Sequence, residues 1–523
     1  AVHFTAHDEL SLLGLLLALG ALLVVAAVRG LPVSLPLVLG GLLLGFVPGL
    51  PHLQLAPDLV LVGVLPPLLY SSAFFTGLRD LRANLRPVGL LAFGLVAATT
   101  VGVAVVAHAF VDDLTWGDAF TLGAIVSPTD ALAATEVARR INLPRRVVAI
   151  IEGESLVNDG MALVLYKFAV VAAVSGAFSI WNAAWRLPVN VAGGIAVGLA
   201  VAFCVRQVRK RVDDTPTEVA IALLSGYLAY LPAEALGVSG VLAAVTIGVY
   251  MGWYTPELTN VQTRLSGNAF WEILVFVVNA LLFALIGLQL RQIASRLPIT
   301  GTLIVQSAIV VAAVVVIRFF WVPVFTYVPR LLFRRIRERD PYPPWQAPVV
   351  IAWAGVRGSV TLAAALALPS NVPHRDEIIF VSFVVVLVSL IGPTITLPGL
   401  VRIIGLEDDG GAAREDAKAR IKAAEAALAR IEEIAAEGWA NEDSLERARG
   451  QYRFRGRRFR SRYTGEDVDG AEDRSERYQR LRRELLDAER SAVVALRNDG
   501  VITEEVMLRV QRDIDLEELR LDL

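Results

Sequence analysis

The chain has 523 residues, of which 55% are hydrophobic and only 19% are charged. Soluble proteins usually carry about 45–50% apolar and about 25% charged residues. The 49 basic and 51 acidic residues leave a net charge of −2, which excludes a nucleic-acid-binding protein that relies on bulk positive charge and a disordered acidic chain. A mean hydropathy of +0.57 over this length predicts a membrane protein with many spans.

The residues that usually hold metals or cofactors are scarce. The single cysteine, Cys204, excludes an intrachain disulfide and a cysteine-built metal site. The five histidines do not have the spacing of zinc ligands. The sequence also contains no Ser/His dyad, no His-x-x-x-His pair and no glycine-rich phosphate loop. We therefore expect neither an enzyme nor a resident cofactor.

The apolar surplus lies between residues 8 and 404, which predicts a transmembrane domain, 1–404, followed by a water-facing helical tail, 405–523. A span needs about 20 mostly apolar residues. Dividing the apolar region at charge clusters and Pro/Gly turns predicts thirteen spans. Their approximate limits are 8–29, 32–48, 56–76, 84–110, 116–139, 145–176, 184–208, 215–231, 236–253, 266–290, 299–333, 345–369 and 376–404.

The distribution of lysine and arginine over the loops predicts the orientation. Loops that would share one side, beginning with the loop after the first span, hold 18 of these residues, whereas the opposite loops hold 4. Basic loops stay in the cytoplasm. We therefore expect the N-terminus outside, the tail in the cytoplasm and the protein in the plasma membrane.

Two predicted spans contain helix-breaking segments. Span 5 contains Ser127-Pro128-Thr129-Asp130, in which proline removes a donor and disfavours helix at the residue before it. Span 12 contains Ala354-Gly355-Val356-Arg357-Gly358-Ser359, in which two glycines weaken the helix. Thirteen spans divide as six, one and six, so both breaks fall in the fifth span of a half. This position favours two inverted six-helix repeats with discontinuous helices 5 and 12, although ordinary Pro and Gly kinks are common in spans.

Charged residues within the spans indicate where a site lies. Each charge at the bilayer centre costs about 2.5–3.5 kcal/mol, so these groups must pair, be hydrated or bind something. Helical spacing places Glu154 and Asn158 on one face of span 6 and Ser155 and Asp159 on a neighbouring face. The hydroxyl and carboxylate of the second pair form part of an oxygen shell for a small cation. Arg318 in span 11 is the natural partner of Glu154.

Three motifs in this order closely resemble the sodium/proton exchanger family: Ser127-Pro128-Thr129-Asp130, Gly153-Glu154-Ser155-Leu156-Val157-Asn158-Asp159 and Gly355-Val356-Arg357-Gly358. The Asn-Asp pair is typical of its electroneutral branch. The resemblance implies that Asp159 takes either the cation or the proton, and that the other cation ligands are Asp130, Ser155 and Thr129. It also implies structural roles around the crossed helices for Asn158, Glu154, Arg318 and Arg357.

This resemblance implies a homodimeric antiporter in the membrane lipid that exchanges Na⁺, and possibly Li⁺, for H⁺. One titrating carboxylate in the Asn-Asp pair favours electroneutral 1:1 exchange by alternating access, for pH and sodium homeostasis. K⁺/H⁺ antiport is the alternative, and whether Asp130 or Glu154 also titrates stays open. A channel is disfavoured because discontinuous-helix repeats suit alternating access better than a continuous pore.

The tail sequence predicts three helices. Apolar residues from Ile421 to Ile434 line one face of a helix that Gly438 ends. A second helix is expected from about Glu472 to Arg497, and Thr503 is expected to be the N-cap of the last one. Between the first two, the arginine- and aromatic-rich segment 453–462 is read as a solvated basic face in preference to a lipid- or nucleotide-binding one.

Overall fold

The computed structural model describes residues 6–30, 34–45, 59–130, 135–136, Ala138, Ile141, 143–175, 180–406, 410–464 and 471–521. Within these ranges every regular element is a helix. The chain divides into two compact units, residues 1–408 and residues 409–523, and each is described by itself.

The first unit is built from seventeen described α-helices. Their bounds are α1 (Ala6–Arg29), α2 (Ser34–Gly45), α3 (Leu65–Phe75), α4 (Leu78–Ala83), α5 (Leu85–Gly89), α6 (Val96–Phe110), α7 (Trp116–Val126), α8 (Arg145–Ser175), α9 (Ile180–Arg209), α10 (Thr215–Ala235), α11 (Gly240–Leu258), α12 (Val261–Arg296), α13 (Gly301–Leu332), α14 (Arg334–Arg339), α15 (Gln346–Trp353), α16 (Ser359–Leu366) and α17 (Arg375–Ile404). Two π-helical segments, Leu59–Val64 and Leu90–Leu95, lead into α3 and α6.

Among the described residues, six helical stretches are long and apolar enough to cross a membrane by length and composition. They are Leu85–Phe110, Arg145–Ser175, Trp185–Arg209, Val261–Ile286, Gly301–Leu332 and Arg375–Ile404. Each of the thirteen predicted spans overlaps at least one described helix, but parts of the second, third, fifth and sixth lie outside the described residues. The number of spans, the inverted repeat and the cytoplasmic position of the tail stay predictions.

Side-chain caps fix where several of these helices begin. Thr115 and Asp118 form a reciprocal capping box at the start of α7, and the hydroxyl of Thr300 accepts the N–H of Leu303 at the start of α13. Each cap satisfies a backbone donor that the first turn of a helix leaves without a partner.

The predicted breaks are present in the structure. α7 ends at Val126, and residues 127–130 are non-helical. The second break separates α15, which ends at Trp353, from α16, which begins at Ser359, and residues 354–358 lie between them. The continuation of span 5 beyond Asp130 lies mostly outside the described residues.

The two largest apolar cores of the described residues draw on different helices. The larger core draws its buried residues mainly from α6–α8, α13 and α15–α17, and the second draws them from α3 and α9–α12. Large apolar side chains such as Val105, Val316 and Phe320 are at least half exposed. Exposed apolar rows of this kind are expected where hydrocarbon covers the protein.

The second unit contains α18 (Gly411–Glu437), α19 (Glu442–Thr464), α20 (Ala471–Asn498) and α21 (Glu504–Leu521). As predicted, Gly438 caps α18 in a left-handed conformation, with φ of +72°, and Thr503 caps α21 by accepting the N–H of Val506. The basic segment 453–462 lies within α19, where Phe459 is buried beneath the guanidinium of Arg420. This helix is a fourth beyond the three that the sequence predicts, and the burial of Phe459 shows that the segment is not solvated throughout.

Candidate functional site

The two helix breaks meet each other. The backbone N–H of Asp130 donates to the carbonyl of Val356 at 2.8 Å. This bond joins the two non-helical segments directly, and it gives a partner to backbone groups that a continuous helix would have satisfied itself. Non-helical backbone at membrane depth is tolerated only when it is buried in protein or lines a cavity, and both conditions are met here.

Charged side chains of opposite sign lie at the ends of the half-helices. The guanidinium of Arg357 donates to the carbonyl of Val126, the last residue of α7, at 3.2 Å. The carboxylate of Asp130 lies against Gly358, the N-cap of α16, so closely that a Cβ there would overlap it. A helix carries partial negative charge at its C-terminus and partial positive charge at its N-terminus. Each half-helix end therefore faces the charge that stabilises it.

Glu154 and Arg318 form the buried ion pair that the sequence predicts. Nη1 and Nη2 of Arg318 donate to the two carboxylate oxygens of Glu154 at 2.5 and 2.8 Å, and both side chains are 2% exposed. The guanidinium also donates to the carbonyls of Ile351 and Ala352 in α15. Gly355 packs so tightly on this guanidinium that a Cβ at that position would overlap it.

Thr129 and Asn158 extend this pair into a hydrogen-bond network. The hydroxyl of Thr129 donates to Glu154 Oε1 at 3.1 Å and accepts from Nδ2 of Asn158 at 2.6 Å. Asn158 also donates to the backbone carbonyl of Thr129 at 3.3 Å. Asn158 thereby ties α8 to the break in α7, which is the holding role that the resemblance implies. A hydroxyl has two acceptor lone pairs, and the bond from Asn158 uses one of those on Thr129.

The four predicted cation ligands line one cavity: Asp159, Asp130, Ser155 and Thr129. Asp159 is 6% exposed and lies on the face of α8 adjacent to the one that carries Glu154 and Asn158. Side chains on one face of α8 therefore take part in the hydrogen-bond network, whereas those on the adjacent face line the cavity. Their assignment as ligands stays a prediction.

The cavity also contains polar residues that the sequence reasoning missed. Ser72 of α3 and Ser359 and Thr361 of α16 line it beside the carboxylates. Hydroxyls are common in membrane helices and carry no charge, so nothing in the sequence distinguished these three from packing residues. They add neutral oxygen atoms to the wall.

The donor set suits a small alkali cation better than a transition metal. No group of three or more His, Cys, Asp or Glu side chains that could hold a metal ion occurs among the described residues. The cavity instead combines carboxylate and hydroxyl oxygens, which are the ligands of hard cations. Lys167, also on α8, makes a 2.7 Å ion pair with Glu234, and it does not line the cavity.

The sequence of the first unit matches a known family. The model of the sodium/hydrogen exchanger transmembrane domain matches residues 14–402. The chain belongs to the sodium/hydrogen exchanger family. It is therefore a multi-pass membrane protein of a cation/proton antiporter family and not a member of an enzyme family.

Relatives and a solved structure agree with this membership. An uncharacterised Na⁺/H⁺ exchanger of Mycobacterium tuberculosis is 35% identical over 497 residues, which cover 93% of this chain and 91% of the relative. A Bacillus pumilus protein named as a sodium, potassium, lithium and rubidium/H⁺ antiporter is 32% identical over 386 residues, 70% of this chain and 57% of the relative. The sodium proton antiporter MjNhaP1 of Methanocaldococcus jannaschii shares the fold with a TM-score of 0.60 at 19% identity, over 76% of this chain and 99% of that one.

Proposed function

We propose that this exchanger carries out electroneutral 1:1 exchange of Na⁺ for H⁺ across the plasma membrane, for pH and sodium homeostasis. The observation that carries the proposal is the placement of Asp159 in a cavity with Asp130, Ser155 and Thr129, while Glu154 on the same helix is bound by Arg318. The carboxylate of Asp159 can thus bind a proton or a cation from the cavity, whereas the carboxylate of Glu154 is held by Arg318.

The hydrogen bonds support Asp159 as the group that changes partner. Glu154 accepts three hydrogen bonds, two from Arg318 and one from Thr129, so fixed partners already occupy its oxygens. The carboxylate of Asp130 lies at the N-terminus of α16, where it faces the partial positive charge of the helix end. Asn158 stands where the electrogenic branch of the family has an acid. We propose that Asp159 is the carboxylate that exchanges a proton for a cation during the cycle.

Competition for this single carboxylate produces exchange. A proton or a sodium ion neutralises Asp159, and both do not bind together readily. Moving the bare carboxylate past a hydrophobic seal is costly, whereas moving either neutral form costs less. If only the neutralised site switches sides, a proton travels one way for each sodium ion that travels the other.

The cation is the part of the proposal with a specific rival. The name of the Bacillus pumilus relative includes potassium and rubidium beside sodium and lithium, so K⁺/H⁺ antiport is the second candidate. We favour Na⁺ and Li⁺ because the family description names sodium. The homodimer, the outside N-terminus and the cytoplasmic tail belong to the proposal as well.

Exchange by the variant Asp159→Asn tests the assignment. Everted vesicles that carry a pH-sensitive dye are given Na⁺, Li⁺ and K⁺ separately, and dequenching reports proton movement. We expect the variant to be folded and inactive with every cation, because a neutral amide has no charge for a proton or a cation to neutralise. The matched control is Asp112→Asn, a carboxylate that is exposed and bonds Gln306 outside the cavity.

The outcomes separate the parts of the proposal. Sodium-driven proton flux that persists in Asp159→Asn would overturn the role of this residue. If the wild type moves protons with K⁺ but not with Na⁺ or Li⁺, then K⁺ and not Na⁺ is the transported cation. A flux that changes when a potassium diffusion potential is imposed would show that the exchange is not electroneutral.

A further inference from the structure

A second cavity lies among the helix ends of the first unit, and it shares no lining residue with the cavity of Asp159. It is bounded by α5, the following π-helical segment, the first turns of α8, the end of α13 and the start of α15. Its walls are largely apolar and include Leu90, Leu91, Val322, Phe325 and Ile351.

Three arginines and one aspartate surround the polar end of this cavity. Arg146 binds Oδ1 of Asp340 at 2.6 Å. Arg330 pairs with Oδ2 of the same carboxylate and also donates to the Asp340 carbonyl at 3.0 Å. Arg86 lies 3.8 Å from Oδ2, which is beyond hydrogen-bond distance. One negative charge therefore faces three positive charges.

Arg86 is the group that this arrangement leaves unsatisfied. Both of its Nη atoms are buried and have no hydrogen-bond partner among the described residues. A buried donor without a partner costs free energy, and the cost is greater for a charged group. The planar guanidinium matches the oxygen geometry of a phosphate, and such charge-assisted bonds are among the strongest in proteins.

We propose that this cavity binds a phosphate-bearing anion, the headgroup of an acidic phospholipid. Arg86, Arg146 and Arg330 would hold the phosphate, and the apolar walls would lie along the attached chain. The net charge of the cluster is the basis for choosing an anion, and the apolar walls are the basis for choosing a lipid over free phosphate. Under the predicted orientation the cluster lies at the cytoplasmic side, where basic pockets between spans meet acidic headgroups.

The position of the cavity connects it to the ion pair of the transport site. Ile150 in its wall is one turn before Glu154 on α8. Ile351, on the opposite wall, supplies a carbonyl that accepts from Arg318. An anion that joins the ends of α5, α8 and α13 therefore stabilises the helices that hold this pair, and we expect its binding to raise the stability of the folded protein.

The experiment compares the thermal unfolding midpoint of the purified full chain in detergent with added phosphatidylglycerol or phosphatidylcholine. A further arm adds sodium phosphate, or sodium gluconate at equal ionic strength, to the phosphatidylcholine sample. The variants are Arg86→Gln, Arg86→Lys and the matched control Arg337→Gln, which changes an exposed arginine of α14 that does not line the cavity. None of these residues belongs to the proposed transport site.

We expect phosphatidylglycerol to raise the midpoint of the wild type and of Arg337→Gln, but not that of Arg86→Gln. Loss of a charge-assisted contact of about 1.5–3 kcal/mol weakens lipid binding by about 10- to 100-fold. Arg86→Lys keeps the charge but not the paired donors, so its shift is expected to be intermediate. Without an acidic lipid, Arg86→Gln should unfold no earlier than the wild type, since Arg86 gives up no hydrogen bond there.

A saturable shift with phosphate but not with gluconate, absent in Arg86→Gln, would support the anion site and identify free phosphate as its occupant. The proposal is overturned if phosphatidylglycerol and phosphate both leave the wild-type midpoint unchanged. It is also overturned if Arg86→Gln responds to either as the wild type does.

Discussion

Replacing Arg318 by methionine tests whether its ion pair with Glu154 maintains the fold or serves transport directly. Arg318 is buried, donates twice to Glu154 and also donates to the carbonyls of Ile351 and Ala352. Methionine is flexible and uncharged, so Glu154 would be left buried with Thr129 as its remaining hydrogen-bond donor among the described residues. Removing one partner of a buried ion pair typically costs about 3–5 kcal/mol. We expect Arg318→Met to lose stability on this scale.

A double-mutant cycle separates the ion pair from the loss of packing. Glu154→Gln removes the charge but keeps an oxygen that accepts from Thr129. The double variant Glu154→Gln/Arg318→Met has no unpaired charge, so it should be more stable than Arg318→Met alone by about 1–3 kcal/mol, within the range for residues in contact. The carbonyls of Ile351 and Ala352 lose their donor in both, so that cost cancels in the comparison.

The measurement is the unfolding midpoint of each purified variant, together with proton flux per folded molecule in vesicles. The reasoning fails if Arg318→Met unfolds at the wild-type temperature, or if the double variant is less stable than Arg318→Met. A variant that is fully stable but does not bind the cation would show that Arg318 serves the transport site itself.

Two further substitutions test close contacts. Gly358→Ala places a methyl group where the Asp130 carboxylate lies, and overpacking of about 1–3 kcal/mol should lower the exchange rate about tenfold or more. The control is Gly392→Ala, whose Cβ would meet nothing within 4 Å. Equal exchange rates of the two variants would contradict the contact. Phe459→Ala removes a side chain that is 2% exposed, so α18 and α19 should lose about 3–5 kcal/mol of protection from hydrogen exchange in the full chain. Tyr463→Ala, at a 46% exposed position, should leave that protection unchanged.

The charges of the proposed transport site could be predicted from the sequence because a charge within a span is rare and costly. Glu154 and Arg318 are opposite charges near the middle of two spans, so their pairing followed from the need to neutralise both. The break at Ser127-Pro128 was likewise predictable, since proline disfavours helix at the preceding residue. Both features depend on local chemistry that a single span already contains.

Other features required the positions of several helices at once. Ser72 and Thr361 join the cavity only because α3 and α16 approach α8. In the sequence, Arg86 and Arg330 count simply as basic residues near the ends of spans, as the orientation rule expects. Their convergence on Asp340 depends on tertiary packing. Neutral hydroxyls and loop charges are frequent in membrane proteins, so neither signals a site before the fold is known.

The fixed charges around the crossed helices bear on the stoichiometry of exchange. Glu154 and Arg318 cancel each other. Asp130 faces the positive end of α16 and Arg357 faces the negative end of α7, so these two charges and the two half-helix ends also sum to zero. None of these fixed charges is left over to offset the carboxylate of Asp159. Under the proposed mechanism, a bound proton and a bound sodium ion would each neutralise Asp159, so an exchanger that moves only in the neutral state would transfer equal charge in both directions.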